Sequence, residues 1–442
     1  MAPAGSCRVS GTVEFRPPDN YTAIAVRQVW QLDTRNRKAQ MKHTSPLDGV
    51  EMAPRDPILG LTELFVSDTN PKKVNLGVGV YYDDNGGVPL LNCVAAAEKQ
   101  LVAAAKPRAY LPIDGLAAYD KAVAQLVFGP DTPLIDAGRI VTLQTLGGTG
   151  ALKVGADFLK RAFPDARVWI SSPSWENHRG IFENAGFEVD SYPYYDASSH
   201  GIDFDAMSAC LDGLPEGSIV LLHACCHNPT GVDLSDAQWA AVADIVSKRK
   251  LIPFIDIAYQ GFGESIEADA GAVRLFSRSM SPVFVANSFS KSFSLYGERV
   301  GGLSIVTQDQ SESARILSQL KRLVRTNYSN PPTHGGRIVA TVLADPALRA
   351  NWETELAGMR ERIRKMRTAL ADGIKARVPD ADFSFVKRQR GMFSYSGLNK
   401  EQVRRLREDY SVYVIESGRI CVAALNTRNI EYVIDAICQV SA

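Results

Sequence analysis

The 442-residue chain has no charge excess, with 49 Lys and Arg against 49 Asp and Glu. It has no basic stripe of the kind that grips nucleic acid or an anionic membrane surface. No apolar run approaches the roughly 18 residues that a membrane-spanning helix needs. Cysteine is scarce: seven residues, an odd number without repeated spacing. That argues against a disulfide framework and for a reducing compartment, so the cytoplasm is the expected location. Internal repeats, low-complexity tracts, G-x-G-x-x-G and GK[ST] are all missing, which weakens solenoid, dinucleotide and nucleoside-triphosphate readings. What remains is the composition of an ordinary globular protein, 45% apolar and 22% charged, long enough for two cores.

Residues 1–40 differ from the rest, with Pro3, Pro17 and Pro18 and little apolar periodicity. They lack the apolar core of a signal peptide, and Glu14, Asp19 and Asp33 count against a transit peptide. A disordered tail is expected there, or an early start with Met41 as the natural second one. Gly77 and Gly79 lie in an apolar segment read as a strand, where glycine signals a close backbone approach or a bulge. From 139 onward strand-like runs near 140–143, 167–171, 187–192, 218–224, 251–257, 282–288 and 300–306 alternate with helical patterns, including 151–163, 178–185 and 236–249. Such alternation predicts an α/β fold with a mostly parallel seven-stranded sheet between helices. Beyond 311 the pattern turns helical, with one long helix over 348–377 leading into a smaller α+β domain. The expected division is an extension at 1–40, an N-terminal arm and part of the small domain at 41–88, a large domain at 89–350 and a small domain at 351–442.

The chemistry-bearing residues fall where strands end, the edge at which open α/β sheets bind ligands. Lys291 follows the apolar run 282–286 amid Ser288, Ser290, Ser292 and Ser294. Desolvation there would lower its pKa and free the amine for Schiff-base formation; a lysine snorkelling to solvent is the plain alternative. Gly147-Gly-Thr-Gly150, between a strand and a helix, offers backbone N–H groups and the Thr149 hydroxyl to a phosphate, or is simply a tight turn. Asp256 sits in an apolar strand and needs a partner if buried; Tyr259 follows at the edge. In His223-Ala-Cys-Cys-His-Asn-Pro-Thr-Gly231 a metal site is rejected, because the adjacent Cys225 and Cys226 do not easily share one ion and no second Cys/His pair closes a tetrahedron. Asn228 is expected as a hydrogen-bond donor there. Lysine, buried acid, tyrosine, asparagine and anion cradle together make the set that pyridoxal phosphate requires.

From about residue 52 onward the chain resembles the fold-type I aspartate and aromatic amino acid aminotransferases. The resemblance rests on Gly147-Gly-Thr-Gly, Ser174-Trp-Glu-Asn-His178, Cys226-His-Asn-Pro-Thr-Gly231, Asp256-Ile-Ala-Tyr259, Ser288-Phe-Ser-Lys291, Arg299, Asn327-Tyr-Ser-Asn-Pro-Pro332 and Ser417-Gly-Arg419. Ser294-Leu-Tyr-Gly-Glu-Arg-Val-Gly-Gly-Leu303 is most similar to the bacterial aromatic members. The resemblance implies that Lys291 is the Schiff-base lysine and proton carrier, with Asp256 on the ring nitrogen and His223 supporting it. Tyr259 and Asn228 would bond the phenolic oxygen. Gly148, Thr149, Ser288 and Arg299 would hold the phosphate, with Tyr110 reaching in from a partner subunit. Trp175 would stack near the ring and shape the pocket. Arg419 would grip the substrate α-carboxylate bidentately, Gly79 would line that site, and Arg325 of a homodimer's other subunit would meet a side-chain carboxylate. The implied activity is ping-pong amino transfer between an aromatic amino acid or aspartate and 2-oxoglutarate, both small-molecule partners. A narrow aspartate enzyme, another pyridoxal-phosphate reaction on this fold, and a catalytically silent binding protein are the alternatives.

Overall fold

The computed structural model describes residues 45–53 and 57–441; the extension expected at 1–40 lies outside them. Residues 45–53 belong to a separate unit, where the Asp48 carboxylate accepts from the Ser45 N–H at 3.1 Å. Residues 55–442 form one compact unit. At its centre is a seven-stranded sheet: β1 (Ile140–Leu146), β2 (Val168–Ser172), β3 (Val189–Pro193), β4 (Ile219–His223), β5 (Ile252–Ile257), β6 (Val283–Ser288) and β7 (Val300–Val306). Their order across the sheet is β1-β7-β6-β5-β4-β2-β3.

The central strands β4, β5, β6 and β7 are buried at every residue. Strands covered on both faces read as continuous apolar runs, which is why these were legible as runs and not as alternation. Within each run the side chains still divide between faces: Val220, Leu222 and Ile255 enter one core, while Ile219, Leu221 and Phe254 enter the other. Six strands run one way. β7 alone is antiparallel, to β1 and β6, with Val300 opposite Leu146 and Gly301 opposite Ser288. This reversal matters for the site. It brings the start of β7, and Arg299 just before it, to the same edge as the ends of the other strands.

Helix α1 (Gly147–Ala162) follows β1 and α2 (Glu176–Glu183) follows β2. Later come α3 (Gln310–Asn327), α4 (Pro346–Arg377) and α5 (Ile430–Ser441). Helix α4 opens with Asp345, whose carboxylate accepts from the N–H groups of Ala347 and Leu348, and with Pro346 in its first turn. It runs unbroken for 32 residues, so the boundary expected at 350 falls inside one helix. Outside the main sheet, Val74 and Asn75 pair with Val412 and Tyr413, and Phe393–Tyr395 pairs with Arg419–Cys421. The segment around Gly77 and Gly79 is therefore irregular beyond Asn75, against the expectation of a strand. The close approach it signalled is to side chains: a Cβ on Gly79 would lie 2.6 Å from Phe393 Cζ, and one on Gly77 2.4 Å from Leu61 Cδ2. No helix among the described residues is long and apolar enough to cross a membrane.

Candidate active site

The ends of β1, β2, β4, β5 and β6 and the start of β7 enclose a cavity of about 250 Å³. Gly79, Gly148, Thr149, Trp175, His223, Asn228, Asp256, Tyr259, Ser288, Lys291, Arg299 and Arg419 all line it. Strand order sets its polarity. Gly148, Arg299 and Ser288 come from adjacent strands at one side; Asp256, His223 and Trp175 come from β5, β4 and β2 at the other. Lys291, after β6, stands between them.

On the first side, α1 starts at Gly147 itself, four residues earlier than expected, so Gly147-Gly-Thr-Gly is its first turn. The N–H groups of a first turn have no partners within the helix, which suits an anion. Gly147 has φ +68°, and a Cβ there would meet Arg299 Nη2 at 2.6 Å. Glycine is thus required both by the backbone and by the guanidinium packed over it. Arg299 Nη1 donates to the Tyr296 carbonyl at 3.0 Å and to Ser290 Oγ at 3.4 Å.

On the second side, the acid is held by a histidine other than the one expected. His178 Nε2 lies 3.0 Å from Asp256 Oδ2, whereas His223 Nε2 lies 3.3 Å from Ser174 Oγ. The proton order of this chain follows from its far end. The Asn228 N–H donates to His223 Nδ1 at 3.3 Å, so His223 carries its proton on Nε2 and donates to Ser174. The Ser174 hydroxyl then donates to His178 Nδ1 at 2.9 Å, leaving His178 Nε2–H to donate to Asp256. Burial, aided by the neighbouring His178, depresses the His223 pKa to about 3, in keeping with a neutral ring. Burial also pushes the Asp256 carboxyl up, but the hydrogen bond from His178 and the positive charge of Lys291 beyond act against it, and the carboxyl stays below the ordinary range. Asp256 is therefore an ionised acid with Oδ2 occupied and Oδ1 buried without a partner. The signal for His178 was present in Ser174-Trp-Glu-Asn-His178; sequence gave no means of ranking it above His223.

Lys291 opens onto the cavity, with Nζ 5.2 Å from the centre of the Tyr259 ring. Burial lowers its pKa to about 8; Asp256 opposes the shift and Arg299 adds to it. A sizeable fraction of its amine is neutral near pH 8, as a nucleophile or base requires. Burial pushes the Tyr259 phenol up, so it remains a hydrogen-bond donor.

Arg419, only 1% exposed, gives Nη2 to the Gly77 carbonyl at 2.7 Å and Nη1 to Asn228 Oδ1 at 3.1 Å. Its guanidinium carbon sits 4.3 Å from the centre of the Phe393 ring, and its Nε is buried without a partner. The Asn228 carbonyl oxygen is thereby engaged, which turns its amide donors elsewhere. Glu176 Oε2 approaches Arg419 Nη1 at 3.8 Å. Glu176, Ser290 and Tyr296 stand in quoted sequence motifs but were given no role there; Phe393 has no local signature and is identified by its packing on Gly79. Tyr110 is 93% exposed, and Arg325, exposed near the end of α3, donates to Ser329 Oγ at 2.5 Å; neither lines the cavity. Cys225, Cys226 and Asp269 do bring ligand atoms within 4.8 Å of one another, closer than adjacent cysteines were expected to allow. Asp269, however, already accepts from the N–H groups of Gly261, Gly263 and Glu264.

The family model for class I and II aminotransferases matches residues 71–437. An aspartate aminotransferase of Pseudomonas aeruginosa is 60% identical over 90% of this chain and 100% of its own length. An aromatic-amino-acid aminotransferase of Escherichia coli is 53% identical over 87% of this chain and 97% of its own. Among solved structures, the aromatic-amino-acid aminotransferase from Burkholderia pseudomallei covalently bound to pyridoxal phosphate superposes with a TM-score of 0.88. It has 64% identity and covers 90% of this chain and 99% of that one.

Proposed function

The chain belongs to the class I and II aminotransferases, and on that premise we propose how its own residues carry out amino transfer and on which substrates. It is a pyridoxal-phosphate-dependent enzyme, and the cavity fits that group by chemistry. Gly148, Thr149, Ser288 and Arg299 form an anion cradle; Asp256 offers a buried, ionised and unpartnered Oδ1 to a protonated ring nitrogen; Lys291 lies between them with a depressed pKa. When bound, pyridoxal phosphate supplies an electron-withdrawing ring that stabilises the negative charge left when a proton departs from the substrate α-carbon.

The protein residues do the rest. His178 fixes Asp256 in place and keeps it charged. Tyr259 and Asn228 would hold the ring's oxygen through hydrogen bonds, and Trp175 would help to shape the space the ring takes. Arg419 holds the α-carboxylate with a planar fork, its unpartnered Nε included. Lys291 Nζ would take the proton from the substrate α-carbon and pass it to the cofactor carbon that keeps the amino nitrogen, with water supplying the keto oxygen; each keto acid leaves before the next substrate enters, giving ping-pong kinetics. The unpartnered Asp256 Oδ1 is the observation that carries this reading most directly.

The substrates we propose are aromatic amino acids and aspartate, with 2-oxoglutarate as acceptor. Trp175, Tyr259, Tyr296 and Phe393 give the cavity wall four aromatic side chains, which favours a ring. In this reading the enzyme is a cytoplasmic homodimer. Tyr110 and Arg325, exposed in the single chain, reach the partner's cavity, where Arg325 meets a second carboxylate and swings aside for an uncharged ring. Side-by-side kcat/KM values for phenylalanine and aspartate are expected to show turnover of both, with Arg325→Ala impairing aspartate and sparing phenylalanine. No turnover of phenylalanine would reduce the assignment to a narrow aspartate enzyme.

Glu176 is expected to tune KM. At 3.8 Å it competes with the substrate carboxylate for Arg419, but it is 37% exposed, so water screens the pair. Glu176→Gln should lower KM about two- to fivefold, the equivalent of an exposed ion pair, and leave kcat unchanged. An unaltered or raised KM in steady-state kinetics would remove that role.

A further inference from the structure

A second cavity, of about 430 Å³, lies apart from the residues that line the active cavity. One face of α4 supplies Arg360, Arg364 and Arg367, and the segment after it supplies Lys387, Arg388 and Arg390. Facing these six cations, the 262–264 turn supplies one carboxylate, Glu264. In a chain of zero net charge this is a strong local excess. Glu264 Oε2 is shared, 3.0 Å from Arg364 Nη2 and 3.8 Å from Arg390 Nη2. The other acids that act on these cations, Glu361 and Asp372 by ion pairing, Asp382 through its charge on Arg388 and Asp233 through its charge on Arg367 and Arg390, do not line the cavity. Arg360 Nε is buried without a hydrogen-bond partner, its nearest carboxylate 3.7 Å away.

The floor of this cavity is tied to the active one. Arg367, 2% exposed, donates to the carbonyls of Val386, Arg390, Gly391 and Phe393 and to Ser394 Oγ. The Arg390 N–H donates to the Gly231 carbonyl at 2.6 Å, closing the turn that carries Asn228. Phe393, held on this side through its carbonyl, stacks its ring on Arg419 on the other. Like charges confined at this density repel one another, and guanidinium forks match phosphate oxygens bidentately. The volume lies within the range of small-molecule sites.

We propose that this cavity binds a small polyanion carrying two or more phosphate groups, up to about the size of a nucleoside diphosphate. Its occupancy reaches the α-carboxylate site through Arg367 and Phe393. The proposal is independent of the reaction assigned above, because its test reads binding and not turnover.

The test is calorimetric titration of the cofactor-saturated enzyme with pyrophosphate and tripolyphosphate at fixed ionic strength, so that the active-site cradle is already filled. One ion per chain is expected, with a Kd of roughly 0.1 mM. Arg388→Gln/Arg390→Gln removes two exposed side chains outside the active cavity and should weaken binding by about tenfold or more, with unchanged activity in the absence of polyphosphate. Wild-type affinity in that variant would overturn the proposal. So would an affinity for sulfate equal to that for pyrophosphate, or the absence of binding up to about 10 mM.

Discussion

Lys291→Ala should abolish amino transfer, lowering kcat by roughly 10⁴-fold or more, since one side chain is both covalent anchor and proton carrier. The fold should survive. The change removes a buried amine whose charged form the site disfavours, so thermal unfolding of the cofactor-free protein should be no less stable than wild type near pH 7. The sign of that effect follows from the shift. With a pKa near 8 in the folded state against the ordinary 10.5, the unfolded chain binds more protons between those values. The contribution of Lys291 to stability therefore rises with pH through that window, and below it the cost of burying the ammonium is fully present. Cofactor uptake by the wild-type protein should accelerate with pH and level off above about 8, as the neutral amine is populated. After borohydride reduction, mass spectrometry should find the cofactor mass on Lys291 in wild type and nowhere in the variant. Normal turnover in the variant would end the assignment.

The second large effect is expected at Asp256. Asp256→Asn preserves shape and still accepts from His178 Nε2–H, but it replaces the unpartnered anionic oxygen with an amide donor. A protonated ring nitrogen then loses its counter-charge, in a buried site where charge counts most. Activity should fall by roughly 10²–10³-fold, with the melting temperature close to that of wild type. His178→Leu should reproduce part of that loss, and His223→Leu less, because only His178 touches the acid. The order of those two losses in kcat separates the arrangement described here from one in which His223 supports Asp256 directly.

Much of this was visible before any coordinates. The seven strands appear where strand-like runs were found, and the central four, β4 to β7, read as continuous runs because they are buried on both faces. The site residues were legible because they follow those runs directly: Lys291 after β6, Tyr259 after β5, Asn228 after β4. Features spanning long separations were not. His178 and Asp256 are 78 positions apart, Asn228 and Arg419 are 191 apart, and no local pattern pairs them. The strand expected through Gly77 and Gly79 failed for a related reason. Composition there is strand-like, but after Leu76, whose backbone still bonds to Tyr413 and Cys421, the Gly77 carbonyl is taken by Arg419 and Gly79 packs on Phe393, so no ladder continues.

The amino-acid order by itself determined which elements form and which reactive groups stand at their ends, since hydrophobic period and strand termination are properties of a few consecutive residues. The tertiary structure alone decided the neighbours. It reversed β7 so that Arg299 meets the Gly147 turn, chose His178 over His223 for the acid, set Glu176 beside Arg419, and gathered six cations from α4 and the segment after it around one carboxylate 100 positions from Arg364. Those outcomes depend on strand register and on packing between segments far apart in the chain, 78 positions for His178 and Asp256 and 100 for Glu264 and Arg364, and such pairings leave no period in the sequence.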